Sequence, residues 1–169
     1  MIGMGGADTL YGGSGDDQLF GDADNVALAD QGDDELFGED GNDLLQGYGD
    51  NDTLDGDAGN DTLLGGRGED TLFGGDGNDR IAGDNGGSDP SGEADFIDAG
   101  AGDDIVDGQG GDDMLLGGAG NDLIAGARAW TPTITLLAAA RNTFRTKAQI
   151  DWFCTASISA RSSLAWARS

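Results

Sequence analysis

Histidine is absent from the 169 residues, cysteine occurs once and proline twice. Without an imidazole there is no Ser-His-Asp or Cys-His nucleophile pair and no histidine metal ligand. The lone Cys154 cannot close an internal disulfide or furnish a CxxC redox or zinc motif. Basic side chains are scarce too, 8 against 33 acidic ones, and the net charge of −25 argues against nucleic acid and anionic membrane as partners of the whole chain. No apolar run reaches the ~18 residues that a membrane-spanning helix needs. The N-terminus lacks the basic-then-apolar pattern of a secretory leader, and Met1 runs almost at once into repeat sequence, which reads as a truncated or internal start. Cations are the natural counterpart of such a chain.

What is abundant is glycine, and its distribution divides the chain. All 33 glycines lie between Gly3 and Gly126. Residues 1–126 carry 32 acidic and 2 basic side chains, whereas residues 127–169 carry 1 and 6. Two regions follow: an acidic one over 1–126 and a basic, glycine-free tail over 127–169.

Within the first region a nine-residue unit recurs, G-x-x-G-x-D-x-U-x with U apolar, as in residues 12–20 (GGSGDDQLF), 38–46 (GEDGNDLLQ), 65–73 (GGRGEDTLF) and 117–125 (GGAGNDLIA). Twelve units can be aligned. Their sixth position is Asp8, Asp17, Asp34, Asp43, Asp52, Asp61, Asp70, Asp79, Asp95, Asp104, Asp113 and Asp122. Their eighth is Leu10, Leu19, Leu36, Leu45, Leu54, Leu63, Leu72, Ile81, Ile97, Val106, Leu115 and Ile124. The spacing of nine breaks only between Asp17 and Asp34 and between Asp79 and Asp95, where eight and seven residues are inserted.

This pattern resembles the RTX, or hemolysin-type, calcium-binding nonapeptide repeat, and the resemblance covers residues 3–125. It implies an all-β fold, a parallel β-roll (a right-handed β-helix or solenoid) of about six coils. Each unit then contributes a tight turn from positions 1–6 and a short strand from positions 7–9, and two units complete one coil. Several calcium ions would sit between the turns of successive coils, held by the twelve position-6 aspartates and by turn carbonyls. Local departures are Asp50 and Glu93 in place of the fourth-position glycine and Ala99 in place of a first-position one.

The residues make physical sense of the pattern on their own. Glycines at fixed offsets permit positive φ at each turn. The x-U-x triplet points one side chain inward and two outward. Calcium is a hard cation taking six to eight oxygen ligands, and carboxylates and carbonyls are what this chain offers. One aliphatic side chain per unit is a thin core, and stacking brings aspartates within about 4.8 Å of their counterparts in the next coil. Unneutralised, these rows repel, so cation binding and folding are expected to be one event.

Competing readings fit less well. Acidic Gly- and Asp-rich sequence is often disordered linker, but strict phase at two positions over twelve units argues against that for the calcium-loaded chain. An EF-hand needs a twelve-residue loop ending in Glu between helices, which is missing. Threonine is scattered at the seventh position (Thr9, Thr53, Thr62, Thr71) and builds no flat array.

Parity sharpens the expectation. Odd units stack along one edge and even units along the other, and both insertions, around residues 23–30 and 85–91, fall in odd units. The even edge is therefore expected to be clean and well occupied, and the odd edge less so. Asp24, Asp30, Asp84 and Asp89, assigned to the insertions, are expected to bind at most incidentally. Ile105, Met114, Leu116, Leu123 and Ala125 make the exterior of the last coils apolar, beside Asp107.

The tail reads as a helical cap or as disordered. Ile134, Leu137, Ala138, Phe144 and Ala148 fall opposite Arg141, Arg145 and Lys147 on a helix over about 133–150, with Trp152, Phe153 and Ile158 in a second short element. Membrane contact is open to this basic stretch alone. A C-terminal export signal and an out-of-frame segment are the other readings.

The expected function is non-enzymatic calcium binding by a module of a larger, secreted bacterial RTX protein, exported in one step, that stays unfolded at low calcium and folds outside the cell. The alternatives are the repeat array of an adhesin or surface-layer protein, and the C-terminal roll of a secreted protease, lipase or polysaccharide-modifying enzyme. No catalytic dyad stands out, because the repeat accounts for the carboxylates.

Overall fold

In a computed structural model, the described part of the chain comprises residues 1–23, 26–84 and 92–126 and the backbone of 143–144. Alternation of one inward aliphatic with two outward residues dictates a short strand per unit. The strands are β1 (Ile2–Met4), β2 (Thr9–Ser14), β3 (Gln18–Asp22), β4 (Glu35–Asp40), β5 (Leu44–Gly49), β6 (Thr53–Asp55) and β7 (Thr62–Arg67). They continue with β8 (Thr71–Asp76), β9 (Arg80–Asp84), β10 (Phe96–Ala101), β11 (Ile105–Asp107), β12 (Met114–Leu116), β13 (Leu123–Ala125) and β14 (Thr143–Phe144).

All pairings are parallel, and each strand joins the one two places along in sequence until β13, which pairs with β14. One sheet runs β1-β3-β5-β7-β9-β11-β13-β14, the other β2-β4-β6-β8-β10-β12. Leu45 pairs with Leu63 and Leu63 with Ile81, so one coil is two units. This is a parallel β-roll. The twelve position-8 side chains fill the space between the sheets, eleven of them at most 1% exposed and Leu10, in the first complete coil, at 8%.

Strands outrun the expected triplet. Six of them are six residues long, because pairing continues through positions 1–3 of the next unit, as in Gly13 with Glu39 and Ser14 with Asp40. The turns then tighten at position 4. Gly59 lies there at φ +145°, where a Cβ would stand 1.4 Å from the Gly41 carbonyl oxygen of the neighbouring coil, so only glycine stacks this closely. Six non-glycine residues occupy positive-φ turn positions all the same, namely Met4, Glu39, Tyr48, Asp50, Asp57 and Gln109, with φ between 64° and 105°.

Both insertions leave the roll at the edge carrying the odd-unit turns. The first contains a 3-10 turn, Leu28–Asp30, whose Asp30 carbonyl accepts the Gly6 amide at 2.9 Å. Leu28 and Gln31 from this side share a groove with Glu93, which follows the second insertion. Residues 24–25 and 85–91 lie outside the described part.

On the outer faces, Ile105, Met114 and Leu123 of the last coils are exposed as expected. The preceding coils have apolar exteriors of their own, with Tyr11 stacked on Phe37 at 5.0 Å near the start and Phe73 tilted against Phe96 at 5.9 Å further along. The helix expected over 133–150 is corrected at the two residues described there. Thr143 and Phe144 form a parallel strand on β13, continuing a sheet that offers a free edge. The rest of that expectation lies outside the described residues. Among the described residues no helix is long and apolar enough to cross a membrane.

Candidate metal centres along the two turn edges

The roll brings the twelve position-6 aspartates into two files, one per edge. Asp8, Asp34, Asp52, Asp70, Asp95 and Asp113 follow one another on the odd edge, and Asp17, Asp43, Asp61, Asp79, Asp104 and Asp122 on the even edge. Ten are buried, while Asp8 and Asp17 in the first complete coil are partly exposed.

Each file is a hydrogen-bonded ladder. The amide of each position-6 aspartate before the last coil donates to Oδ1 of its counterpart one coil later, as from Asp43 to Asp61 at 2.7 Å and from Asp52 to Asp70 at 2.9 Å. One oxygen is thereby committed to the fold. The other, Oδ2, is buried and receives no hydrogen bond in Asp8, Asp34, Asp43, Asp52, Asp61, Asp70, Asp79, Asp95, Asp104 and Asp113. A row of buried acceptors without donors is costly unless something positive meets them.

The first-position glycine shows what surrounds that free oxygen. A Cβ on Gly56 would lie 2.5 Å from Asp61 Oδ2 and 2.6 Å from the Gly74 carbonyl oxygen of the next coil. On Gly47 it would lie 2.1 Å from Asp52 Oδ2 and 2.8 Å from the Gly65 carbonyl oxygen. The missing side chain leaves a cradle in which a carboxylate oxygen and a carbonyl oxygen approach the same point. Among the described residues no group of three or more carboxylate or thiol side chains is placed to hold a metal without backbone help. The available donors are therefore mixed carboxylate and carbonyl oxygens, a hard set that fits calcium and not a thiophilic metal. Ala99 brings a methyl group to the cradle of the Asp104 unit.

Burial raises the pKa values of these groups, more on one edge than on the other. On the odd edge Asp52 and Asp95 are pushed up to about 8, Asp70 and Asp113 to about 7 and Asp34 to about 6. On the even edge Asp61 and Asp104 reach about 6, and Asp43 and Asp79 also shift upward. Loss of solvent is the largest cause in each case, the donated amide opposes it, and neighbouring carboxylates add to it in all but Asp79.

A second ladder escaped the sequence reading. Position 5 of the even units holds Asp16, Asn42, Asn60, Asn78, Asp103 and Asn121, and the Oδ1 of each of the first five accepts the amide of the residue one coil later. The asparagines add a side-chain bond wherever they follow another member, as from Asn60 Nδ2 to Asn42 Oδ1 at 2.9 Å. The odd edge has a shorter version, Asp33–Asn51–Glu69, and Ala94 offers no side-chain acceptor beyond it. The signal was present, since position 5 is Asp or Asn in every even unit.

Two acids flank the insertions, Asp22, which the sequence reading passed over, and Asp84, which it assigned to the insertion and the structure places in strand β9. Asp22 and Asp84 each follow a position-1 glycine and end a strand, at repeat position 2. Asp84, expected to be incidental, accepts the Gly110 amide at 2.8 Å, and its charge helps raise Asp70, Asp95 and Asp113. Asp22 is completely buried. Asp30 is exposed, and Asp24 and Asp89 lie outside the described residues.

Comparison with known proteins agrees with this geometry. The model of the RTX calcium-binding nonapeptide repeat matches in four copies, over residues 1–26, 28–63, 56–88 and 91–124. No curated protein matches the chain.

Proposed function

Because the chain belongs to the RTX calcium-binding nonapeptide repeat family, we propose that it is a calcium-triggered folding module of a larger, secreted bacterial protein. The observation that carries this reading is the pair of aspartate files, each with buried Oδ2 atoms that no protein donor meets. Calcium supplies positive charge and an appetite for oxygen ligands. The residues do the rest. Position-6 Oδ1 fixes each carboxylate to the coil before it, Oδ2 is presented at the cradle, and the first-position glycine keeps that cradle open. At low calcium the facing carboxylates repel and the thin aliphatic stack is insufficient, so the chain is unfolded. At high calcium the coils close. The chain's own part in this is binding and not catalysis.

The test is far-UV circular dichroism of the purified chain. In excess chelator at pH 8 it should read as coil. Millimolar calcium should produce a β signal, and magnesium, which demands tighter octahedral geometry, should not replace it. A chain equally folded in chelator would overturn the reading.

A further inference from the structure

Asp22 is the most anomalous side chain in the roll. In regular units the second position turns left-handed and carries an exposed or half-buried side chain, as at Glu39, Tyr48, Asp57 and Gln109. Asp22 does not take the left-handed conformation; it ends strand β3, pairs with Met4, and is 0% exposed with neither carboxylate oxygen hydrogen-bonded. Its surroundings are anionic: the charges of Asp50 and Asp8 act on it, and its own charge acts on Asp34 and Asp52. The Gly32 amide faces it without closing a hydrogen bond. Its counterpart at the second insertion, Asp84, has the Gly110 amide on Oδ2.

An insertion at this point replaces the ordinary turn between positions 2 and 4, and with it the regular arrangement of turn carbonyls. It also frees the position-2 residue from the left-handed conformation, which lets its side chain turn inward. We propose that Asp22 is a calcium ligand, acting with Asp34 Oδ2 and the Gly47 carbonyl at the cradle over Gly21, in place of turn backbone that the first insertion displaces. The odd-edge site beside this insertion is then a rebuilt site with more side-chain charge than a repeat site. This reverses the expectation that it is poorly occupied. The inference rests on the calcium-binding reading of the files, but it concerns a residue outside the nonapeptide pattern.

The experiment counts calcium ions per chain at saturation, by native mass spectrometry, in the wild type, Asp22→Asn and Asp30→Asn. Asp30 is exposed in the same insertion, so its substitution makes the same charge change without touching the site. Asp22→Asn should bind one ion fewer than the wild type, and Asp30→Asn the same number. An unchanged count in Asp22→Asn overturns the proposal and leaves the parent reading intact. A wild type that takes up no calcium overturns both. If Asp22→Asn does not fold at any calcium concentration, Asp22→Glu decides: a retained carboxylate that folds with the wild-type count supports ligation, whereas failure of this variant as well marks Asp22 as a packing residue and overturns it.

Discussion

The two turn edges are made from the same repeat and differ in what interrupts them. The even edge keeps glycine at position 4 in all six units, takes no insertion, and stacks an unbroken position-5 ladder beside its aspartate file. The odd edge takes both insertions, carries Asp50 and Glu93 at position 4, and has a position-5 ladder of three residues. Its aspartates are also driven further from their ordinary acidity, up to about 8 against about 6. The even edge is organised by hydrogen bonds that exist without a cation, whereas the odd edge depends more heavily on charge being neutralised. One repeat thus yields a scaffold side and a more strongly metal-dependent side.

The largest expected effect comes from deleting a mid-array carboxylate. Asp61→Ala removes the acceptor of the Asp43 amide and the free oxygen of an uninterrupted site, so the calcium-loaded roll should lose about 3 kcal/mol and calcium stoichiometry should fall. Asp70→Ala makes the same cut on the odd edge but removes a carboxyl group that burial disfavours more strongly, pushed up to about 7 against about 6 for Asp61, so its loss should be smaller, about 1–2 kcal/mol. Urea denaturation at fixed calcium compares them. Equal losses would erase the distinction between the edges.

Acidity is the next lever, and its sign is fixed by the upward shifts. A carboxyl group with a raised folded-state pKa stabilises the fold below its unfolded value, near 3.8, and that contribution is lost as pH rises through the folded value. For the calcium-free roll the window is therefore from about 4 to about 8 for Asp52 and Asp95, and from about 4 to about 6 for Asp61 and Asp104. In chelator, β signal should grow as pH falls from 8 towards 5. Calcium binding should weaken over the same range, because protons compete for the same oxygens. A calcium-free chain indifferent to pH between 8 and 5 would show that the odd file is not buried as described.

Smaller effects probe the scaffold side. Asn60→Ala cuts the middle of the even position-5 ladder, removing the acceptor of the Asn78 amide and a donor to Asn42, and should cost about 1 kcal/mol with calcium stoichiometry unchanged. Thermal denaturation together with an ion count separates this from loss of a site. Smallest of all, Asp50→Gly relieves a non-glycine residue at φ 66° and should stabilise the odd edge by about 1 kcal/mol, read as a higher melting temperature. Stabilisation absent there would mean that Asp50 earns its conformation through the ion.

Much of this was legible before any coordinates. Strict phase at Asp8 to Asp122 and at Leu10 to Ile124 specifies the coil, and the parity of the two insertions specifies their shared edge, because a period of two units admits a single stacking. Side-chain direction is less legible. Asp22 and Asp57 both occupy position 2, yet one points inward and the other out. That difference depends on a φ angle which the neighbouring insertion changes and which no residue type announces. The tail gave a helical pattern at Thr143 and Phe144, but an open sheet edge recruits strand regardless of local preference.

The two ladders on the even edge run in opposite senses. At position 6 the earlier coil donates and the later one accepts, whereas at position 5 the later coil donates and the earlier one accepts. An inner coil is consequently clasped by both neighbours in the same way, and a coil at either end forfeits one bond of each kind. Where the position-5 ladder stops, after Glu69 on the odd edge, this regular reciprocity stops with it. From there on the described odd turns are joined by the position-6 bonds, hooked in one direction, and by one reverse bond from the Gly110 amide to Asp84 Oδ2. Fraying should therefore be even-handed along one side of the cylinder and lopsided along the other, with the later odd turns the first to open.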